Sequence, residues 1–527
     1  MTNQEHALVL VMDIGTTGGR VILMDAKGES HGMAYREYRS IFHAPTVIDH
    51  DPTTWINAVV EGIQELKESH ANVLQRVRAI SITSQRATIM PVDADANPLT
   101  HAILWQDKRS IQESREIEAR IGREEIYKRT GLKIDPYFSL PKIMWFQNNH
   151  PEIYRKASCF LTVHDFMVAS LTGEFKTDWT QASRTMLFNI NDFAWDRELA
   201  DRMGIDLGKL PEAYPTGTVA GNVTEAAAVR FGLPVGLPVV MAGGDQQSAA
   251  IGLGAIRPGI VKVTTGTGSF VVAPIDHQIH NPEQKVVCSA SAVPGKWVIE
   301  AGIFTTGSTY RWLRDFLGTD GLYDELNAQA AMSTPGANGV LHIPHYAGSA
   351  APYWNANASG VLFNLSLGTK KSDVVRAYLE GICYETKKNL RIIDSLLSAD
   401  QDVDHIRLSA VHVSGGLARF DWFNQIQADI YGIVVIPDRT EQATSLGAAI
   451  IAYTTLGFYS DLIEAHAAMG KLEMKRMKTT NRATKEVYEE MGELHHALYE
   501  SLDRDDLYGR AKHMASKFDA VNSIQAI

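Results

Sequence analysis

Read by its apolar and polar positions, the chain first shows a short apolar run at residues 8–12, a polar turn, and a second run ending near residue 25. Residues 259–272 repeat the arrangement: apolar and β-branched positions, a Gly/Thr turn, then apolar again. Each segment predicts a β-hairpin whose turn exposes backbone and hydroxyl groups. Their recurrence about 250 residues apart predicts two related domains with a seam near residues 252–258. Between the hairpins, Trp55, Val59, Ile63 and Leu66 fall at three- and four-residue spacing and predict a helix over 53–69. A strand follows at 77–83 and a buried one at 237–242. The second half predicts a long helix over 373–397, a strand at 405–408 and more β structure at 411–413. Helix alternating with strand places the chain in the α/β class, with ligands at the carboxyl ends of strands. Residues 465–502 are Lys-, Glu- and Met-rich with helical periodicity and predict a helical appendage to the surface.

Composition narrows the function. At 527 residues the chain exceeds one hydrophobic core. The net charge of −11 and the lack of a long basic run argue against a nucleic-acid partner. The apolar start is far shorter than the roughly 20 residues that span a bilayer, and no cleavage signal follows it. The expectation is a cytoplasmic protein without a membrane partner. Cys159, Cys288 and Cys383 are the only cysteines, too few and too scattered for a disulfide framework or a Cys-based zinc site.

Four glycine-containing turns carry the chemistry. In Asp13-Ile14-Gly15-Thr16-Thr17 a carboxylate at a strand end precedes hydroxyl groups, a pattern that can hold Mg²⁺ through water and donate to phosphate. In Gly243-Gly244-Asp245-Gln246-Gln247 the glycines allow close backbone approach, and Asp245 stands where it can take a proton from an attacking hydroxyl. Gly266-Thr267-Gly268 can contact phosphate oxygens, and Ser414-Gly415-Gly416 leaves bare backbone for a nucleotide. A capping Asp in a turn reads the same way at the first two sites. The four in this order point to phosphoryl transfer. No Gly-x4-Gly-Lys-Ser/Thr segment occurs, so a P-loop fold is not supported.

Longer segments carry a resemblance: His50-Asp51-Pro52, Ser84-Gln85-Arg86, Trp105-Gln106-Asp107-x-Arg109, Asp135-Pro136-Tyr137-Phe138-Ser139, Trp312-Leu313-Arg314-Asp315, Ala351-Pro352-Tyr353-Trp354 and Leu446-Gly447-Ala448-Ala449. Over residues 7–465 the chain resembles the FGGY carbohydrate kinases, most of all the glycerol kinases among them. The resemblance implies two ribonuclease-H-like domains, of the actin and hexokinase type, flanking a cleft that closes on its ligands. Residues 7–255 would bind substrate, 256–465 nucleotide, and 466–527 would form the appendage. It implies Asp245 as catalytic base. Arg86, Ala87, Trp105, Tyr137, Asp245, Gln246 and Phe270 would bind substrate. Thr16, Thr17, Gly266, Thr267, Gly307, Gly415 and Gly416 would contact nucleotide, with Asp13 and Asp245 at the metal. ATP and Mg²⁺ are the implied cofactors, a polyol or sugar the partner, and a homo-oligomer (dimer or tetramer) the assembly.

Two positions depart from the glycerol-kinase pattern. Ala87 stands where those enzymes carry a substrate-binding glutamate, which opens volume and points to a larger polyol or a ketose, including a ketose-like signal molecule. Ser414-Gly415-Gly416-Leu417 replaces Asp-Gly-Gly-Ala but keeps the glycines. An actin-like ATPase without a small-molecule substrate is the alternative of another class; the polar and aromatic set around Asp245 argues against it.

Overall fold

A computed structural model describes residues 7–44, 46–70, 73–318, 323–399, 406–440 and 442–525. The chain divides into two units. Unit 1 comprises Met1–Arg257, Pro274–Ile299 and Gln442–Lys471; unit 2 comprises Pro258–Ala273, Glu300–Glu441 and Leu472–Ile527.

Unit 1 is organised by a six-stranded sheet of β1 (Leu8–Ile14), β2 (Gly18–Asp25), β3 (Ser30–Glu37), β4 (Val77–Ser84), β5 (Val219–Asn222) and β6 (Pro238–Gly244), in the order β5-β6-β4-β1-β2-β3. The expected hairpin is β1 and β2, with Asp13 opposite Arg20. β1 also pairs in parallel with β4, and β4 with β6. Every residue of β1 is buried, and alternate side chains enter different cores. Leu8, Leu10, Met12 and Ile14 face one, Val9 and Val11 the other. Burial on both faces explains why this strand reads as a continuous apolar run rather than an alternating one.

The first core is closed by α1 (Pro52–Ser69), which starts one residue before the predicted helix. Asp51 caps it by accepting from the Thr53 N–H, and Pro52 at its first position loses no hydrogen bond. The four periodic positions Trp55, Val59, Ile63 and Leu66 are all buried there. Helix Ala443–Thr455 closes the second core and packs against α3 (Asp245–Gly252), the helix that follows β6. The two backbones touch: a Cβ on Gly447 would stand 1.7 Å from the Ser248 carbonyl oxygen. This close packing puts Gln442–Lys471 in unit 1. Chain order says nothing of a helix that returns to the first sheet.

Unit 2 repeats the strand logic. β7 (Ile260–Thr265) and β8 (Ser269–Ile275) form the second hairpin; β7 then pairs in parallel with β9 (Ala410–Ser414), and β9 with β10 (Val434–Pro437). Within the second six-stranded sheet these stand in the order β8-β7-β9-β10, matching β2-β1-β4-β6. A hairpin followed by parallel strands, met twice, is the ribonuclease-H-like arrangement. The long helix is Lys371–Ala399. The strand expected at 405–408 is not formed by Ile406–Leu408, and His405 lies outside the described residues. The Leu408 N–H donates to the Asp394 side chain and that of Ser409 to the Gly259 carbonyl, so pairing begins only at Ala410.

The single helical appendage expected over 465–502 is corrected to separate pieces. Helix Leu462–Met469 ends at Gly470, the stretch near Lys478 bridges to Val435, and helix Lys485–Arg504 follows. This last helix buries Tyr488, His495 and Tyr499 on one face. The Tyr488 hydroxyl accepts from Arg376 Nη2 (2.8 Å) and donates to Glu380 Oε1 (3.0 Å), both on the long helix. Tyr499 stacks on Tyr353 with ring centroids 3.6 Å apart. No described helix is long and apolar enough to cross a membrane.

Tyr488→Phe leaves the buried Arg376–Glu380 pair one partner short. The expected cost is about 1–3 kcal/mol of stability, read as a lower urea midpoint against wild type. An unchanged midpoint would show that the helix is only laid on the surface.

Candidate active site

In unit 1 the carboxyl ends of β1, β4 and β6 gather the predicted residues. The β1–β2 turn is closed by the Gly15 N–H donating to the Gly18 carbonyl at 3.0 Å, which leaves Thr16 and Thr17 at its tip. Gln85 ties this turn to the next loop. Its N–H donates to the Ile14 carbonyl (2.9 Å), its Nε2 to that of Gly15 (3.0 Å), and its Oε1 accepts from Thr88 Oγ1 (3.0 Å).

Asp13 is buried beside this turn. Arg20 Nη1 lies 3.4 Å from its Oδ2 and Ser445 Oγ donates to the same oxygen at 3.3 Å. Burial pushes its carboxyl up to about 6, the negative charge of Asp245 adds to the rise, and Arg20 and Ser445 oppose it. Such a carboxylate lacks full charge compensation. It suits a hard divalent cation that keeps most of its water and takes its remaining ligands from phosphate. Among the described residues no group of three or more His, Cys, Asp or Glu side chains forms a protein-only metal cage.

Asp245 is the first residue of α3. Asp245 Oδ1 accepts from the Gln246 N–H (2.8 Å), Oδ2 from Gln246 Nε2 (3.1 Å), and Arg86 Nε lies 3.7 Å from Oδ1. The Arg86 side chain runs across the bare backbone of Gly244, where a Cβ would stand only 2.2 Å from Arg86 Cδ. Gly243 takes φ +85°, a conformation that favours glycine. The Gly244 N–H donates to Thr180 Oγ1 (2.8 Å), which donates in turn to Asp178 Oδ1 (2.9 Å). Asp178 and Thr180 were not singled out in the sequence. Their only local signal is a capping aspartate before a one-turn helix.

Trp105 and Tyr137 meet with ring centroids 5.3 Å apart. The Trp105 indole Nε1 donates to Thr16 Oγ1 (3.0 Å) and its main-chain N–H to Thr88 Oγ1 (3.1 Å). The Tyr137 N–H donates to Asp135 Oδ1 (2.8 Å), and the Arg184 guanidinium lies over the Tyr137 and Phe138 rings at 5.4 and 5.0 Å. Asp107 and Arg109 of the tryptophan motif are framework. Asp107 accepts from the Ile48 N–H, and Arg109 pairs with Asp107 and Asp49. Ala87 is wholly buried at φ 63°, and its carbonyl accepts from Lys142 Nζ at 2.8 Å. What the alanine removes is a side-chain acceptor.

Unit 2 supplies a second site. The Gly266-Thr267-Gly268 turn accepts from the start of α4 (Gly307–Phe316): the Thr306 N–H donates to the Thr267 carbonyl and the Gly307 N–H to that of Gly266, each at 2.9 Å. A cavity of about 440 Å³ opens beside them, lined by Gly266, Thr267, Gly307 and Gly416. Gly415, at φ +93°, packs behind against Thr265. Tyr310, Arg311, Tyr323, Leu417, Arg419 and Phe420 complete the lining. Of these, only Leu417 was remarked on in the sequence. Glycine backbone and aromatic and cationic walls suit the phosphates and base of a nucleotide. Phe270 lies on β8 opposite Thr264, in unit 2.

Comparison with known proteins identifies the family. Residues 8–252 match the N-terminal domain of the FGGY family of carbohydrate kinases and residues 261–456 its C-terminal domain. The chain is 34% identical to the glycerol kinase of Symbiobacterium thermophilum over 468 residues, 86% of this chain and 91% of that protein. Its fold matches the crystal structure of a ligand-bound xylulose kinase from Lactobacillus acidophilus with a TM-score of 0.87 at 23% identity, covering 96% of this chain and 99% of that one. It also matches Plasmodium falciparum glycerol kinase with ADP (TM-score 0.82, 26% identity, 94% of this chain and 98% of that one).

Two outcomes follow from the unit 1 geometry. Gly244→Ala is expected to keep the protein folded but to displace Arg86, lowering kcat/KM for substrate at least about tenfold; wild-type kinetics would show that Arg86 has room to move. Asp13 binds its proton more tightly folded than unfolded, so its effect on stability worsens as pH rises from about 4 through 6. Asp13→Asn is therefore expected to raise the stability of the ligand-free protein at pH 8 by about 1–3 kcal/mol relative to pH 4.5, read from paired urea titrations. An equal effect at both pH values would contradict the burial argument.

Proposed function

The chain belongs to the FGGY family of carbohydrate kinases, and from that premise we propose that it transfers the γ-phosphoryl group of ATP to a hydroxyl of a polyol or sugar, with Asp245 as base. The observation that carries this reading is Asp245 itself. Its carboxylate stands at the start of α3, 27% exposed, next to Arg86 and following the bare Gly244 backbone. In the proposed step the substrate hydroxyl gives its proton to Asp245 as its oxygen bonds to the γ-phosphorus, and the bond to the ADP oxygen breaks. Little covalent chemistry is left to the protein, so positioning and charge neutralisation supply most of the rate.

The remaining residues fall into roles by chemistry. Trp105 and Tyr137 offer apolar ring surface to a carbon skeleton, and Phe270 of unit 2 is proposed to add another. Arg86 and Gln246 offer hydrogen bonds to hydroxyls. Thr16 and Thr17 are proposed to donate to the transferred phosphate, and Gly266, Thr267, Gly307, Gly415 and Gly416 to hold the nucleotide. Mg²⁺ near Asp13 and Asp245 would neutralise phosphate charge.

Ala87 bears on the substrate. A buried alanine offers its carbonyl to Lys142 and has no side-chain acceptor for a substrate hydroxyl, which separates this pocket from a glycerol site built around a glutamate. A larger polyol or a ketose is the proposed substrate. Sites that hydrogen-bond a hydroxyl discriminate strongly against compounds lacking it.

ADP release with ATP and Mg²⁺ should be stimulated by one class of compound in a panel running from glycerol and erythritol to pentitols, ketopentoses and ketohexoses. Silence across the panel with ATP bound would sink the reading. With the stimulating compound, Asp245→Asn is expected to lower kcat by about 10²–10⁴-fold while substrate still binds. Near-normal turnover in that variant would remove Asp245 as base.

A further inference from the structure

Lys142 is fully buried at the fourth position of helix Ser139–Asn149, where a cation opposes the helix dipole. Burial holds its ammonium well below the ordinary lysine range, with partial compensation from the charge of Asp107. A buried lysine held only for stability is a poor choice, since an apolar side chain of similar length would avoid both penalties. Its hydrogen bonds show what the side chain is used for. Nζ donates to the carbonyl of Ala87 at 2.8 Å and to that of Tyr137 at 2.7 Å. One ammonium thus joins the loop that carries Arg86 to the loop that carries Tyr137, which are far apart in the chain.

Ala87 makes the bond consequential. Its φ of 63° is in the left-handed region that alanine disfavours. Ser139 Oγ reaches the same carbonyl only at 3.4 Å, so Lys142 is the shorter of the two donors holding it. The residue so held directly follows Arg86, whose side chain lies over Gly244 beside Asp245. On the other side, the Tyr137 carbonyl lies behind the ring that meets Trp105 and sits under Arg184.

We infer that Lys142 is a positioning residue for the sugar or polyol site, clamping the Arg86–Ala87 and Tyr137 main chains so that the guanidinium and the aromatic pair face one substrate. The inference rests on the kinase reading of that site. It assigns Lys142 no contact with substrate or nucleotide.

The test uses Lys142→Met, which removes the ammonium but keeps the length, and Lys142→Gln, which keeps one donor. With the compound that stimulates ADP release, Lys142→Met is expected to raise the substrate KM at least tenfold. The KM for ATP should stay within twofold of wild type, and Lys142→Gln should fall between. Amide hydrogen exchange, read without substrate, should accelerate at residues 84–90 and 134–140 and not across unit 1. An unchanged substrate KM overturns the inference. So does an equal loss toward both substrates with exchange rising throughout unit 1, the signature of a core support. If Lys142→Met fails to fold, Lys142→Gln decides by the same readings, and failure of both variants to fold also overturns it. If wild type accepts no compound in the panel, the kinase reading has failed, and the exchange pattern still decides whether Lys142 clamps the two loops.

Discussion

Arg86 lies over a backbone with no side chain, and the carboxyl ends of β4 and β6 are arranged around that contact. A Cβ on Gly244 would stand 2.2 Å from Arg86 Cδ, so glycine is needed there for the guanidinium to reach the neighbourhood of Asp245. Holding it there takes several supports. β4 and β6 run in parallel up to Ser84 and Gly244, Thr180 takes the Gly244 N–H, and Lys142 takes the Ala87 carbonyl. Behind them, the close approach of α3 to helix Ala443–Thr455 at Gly447 anchors the helix that Asp245 begins. The supporting shell is therefore spread over residues 84–455 in sequence, although it serves one carboxylate and one guanidinium.

Electrostatics set the cost of the site. Asp13 is buried beyond what Arg20 and Ser445 compensate, and its carboxyl is pushed up to about 6. A carboxylate left this way destabilises the empty protein near neutral pH and becomes useful only where a cation can approach it. On the proposed reading stability is given up at the position where charge is to be handled. The buried Glu385 of unit 2 shows the contrast. Lys388 Nζ donates to it at 2.8 Å, His345 and His495 lie 3.6 Å away, and its carboxyl is held down at about 2. That group is compensated from several sides and belongs to the packing of helix Lys485–Arg504 on the long helix.

The repeated hairpin gives the two units different uses. In unit 1 the turn tip carries Thr16, tied to the Trp105 indole. In unit 2 the corresponding Gly266-Thr267-Gly268 turn is bonded to the start of α4 and borders a cavity of about 440 Å³. One backbone solution, a hairpin followed by parallel strands, thus presents a hydroxyl beside an aromatic pocket in one case and bare backbone beside a nucleotide-sized cavity in the other. The difference lies in the side chains that surround the turns.

The sequence by itself determined the α/β class, both hairpins, the helical face of α1 and the turns carrying Asp13, Asp245, Thr267 and Gly416. These are local signals: strand and helix periodicities, and glycines beside polar groups at the ends of apolar runs. It did not determine where strand pairing begins near Ala410, because a side chain from the long helix and the Gly259 carbonyl take the preceding N–H groups. Nor did it show that residues 442–471 return to the first sheet, or that helix Lys485–Arg504 is buried along one face. The partners Asp178, Thr180, Lys142 and Arg184 were invisible for the same reason. Each is an ordinary polar residue at a strand end, in a helix or in a turn, and each acquires its role from a contact with residues distant in the chain. Such contacts have no period and no local motif, so only the folded chain could decide them.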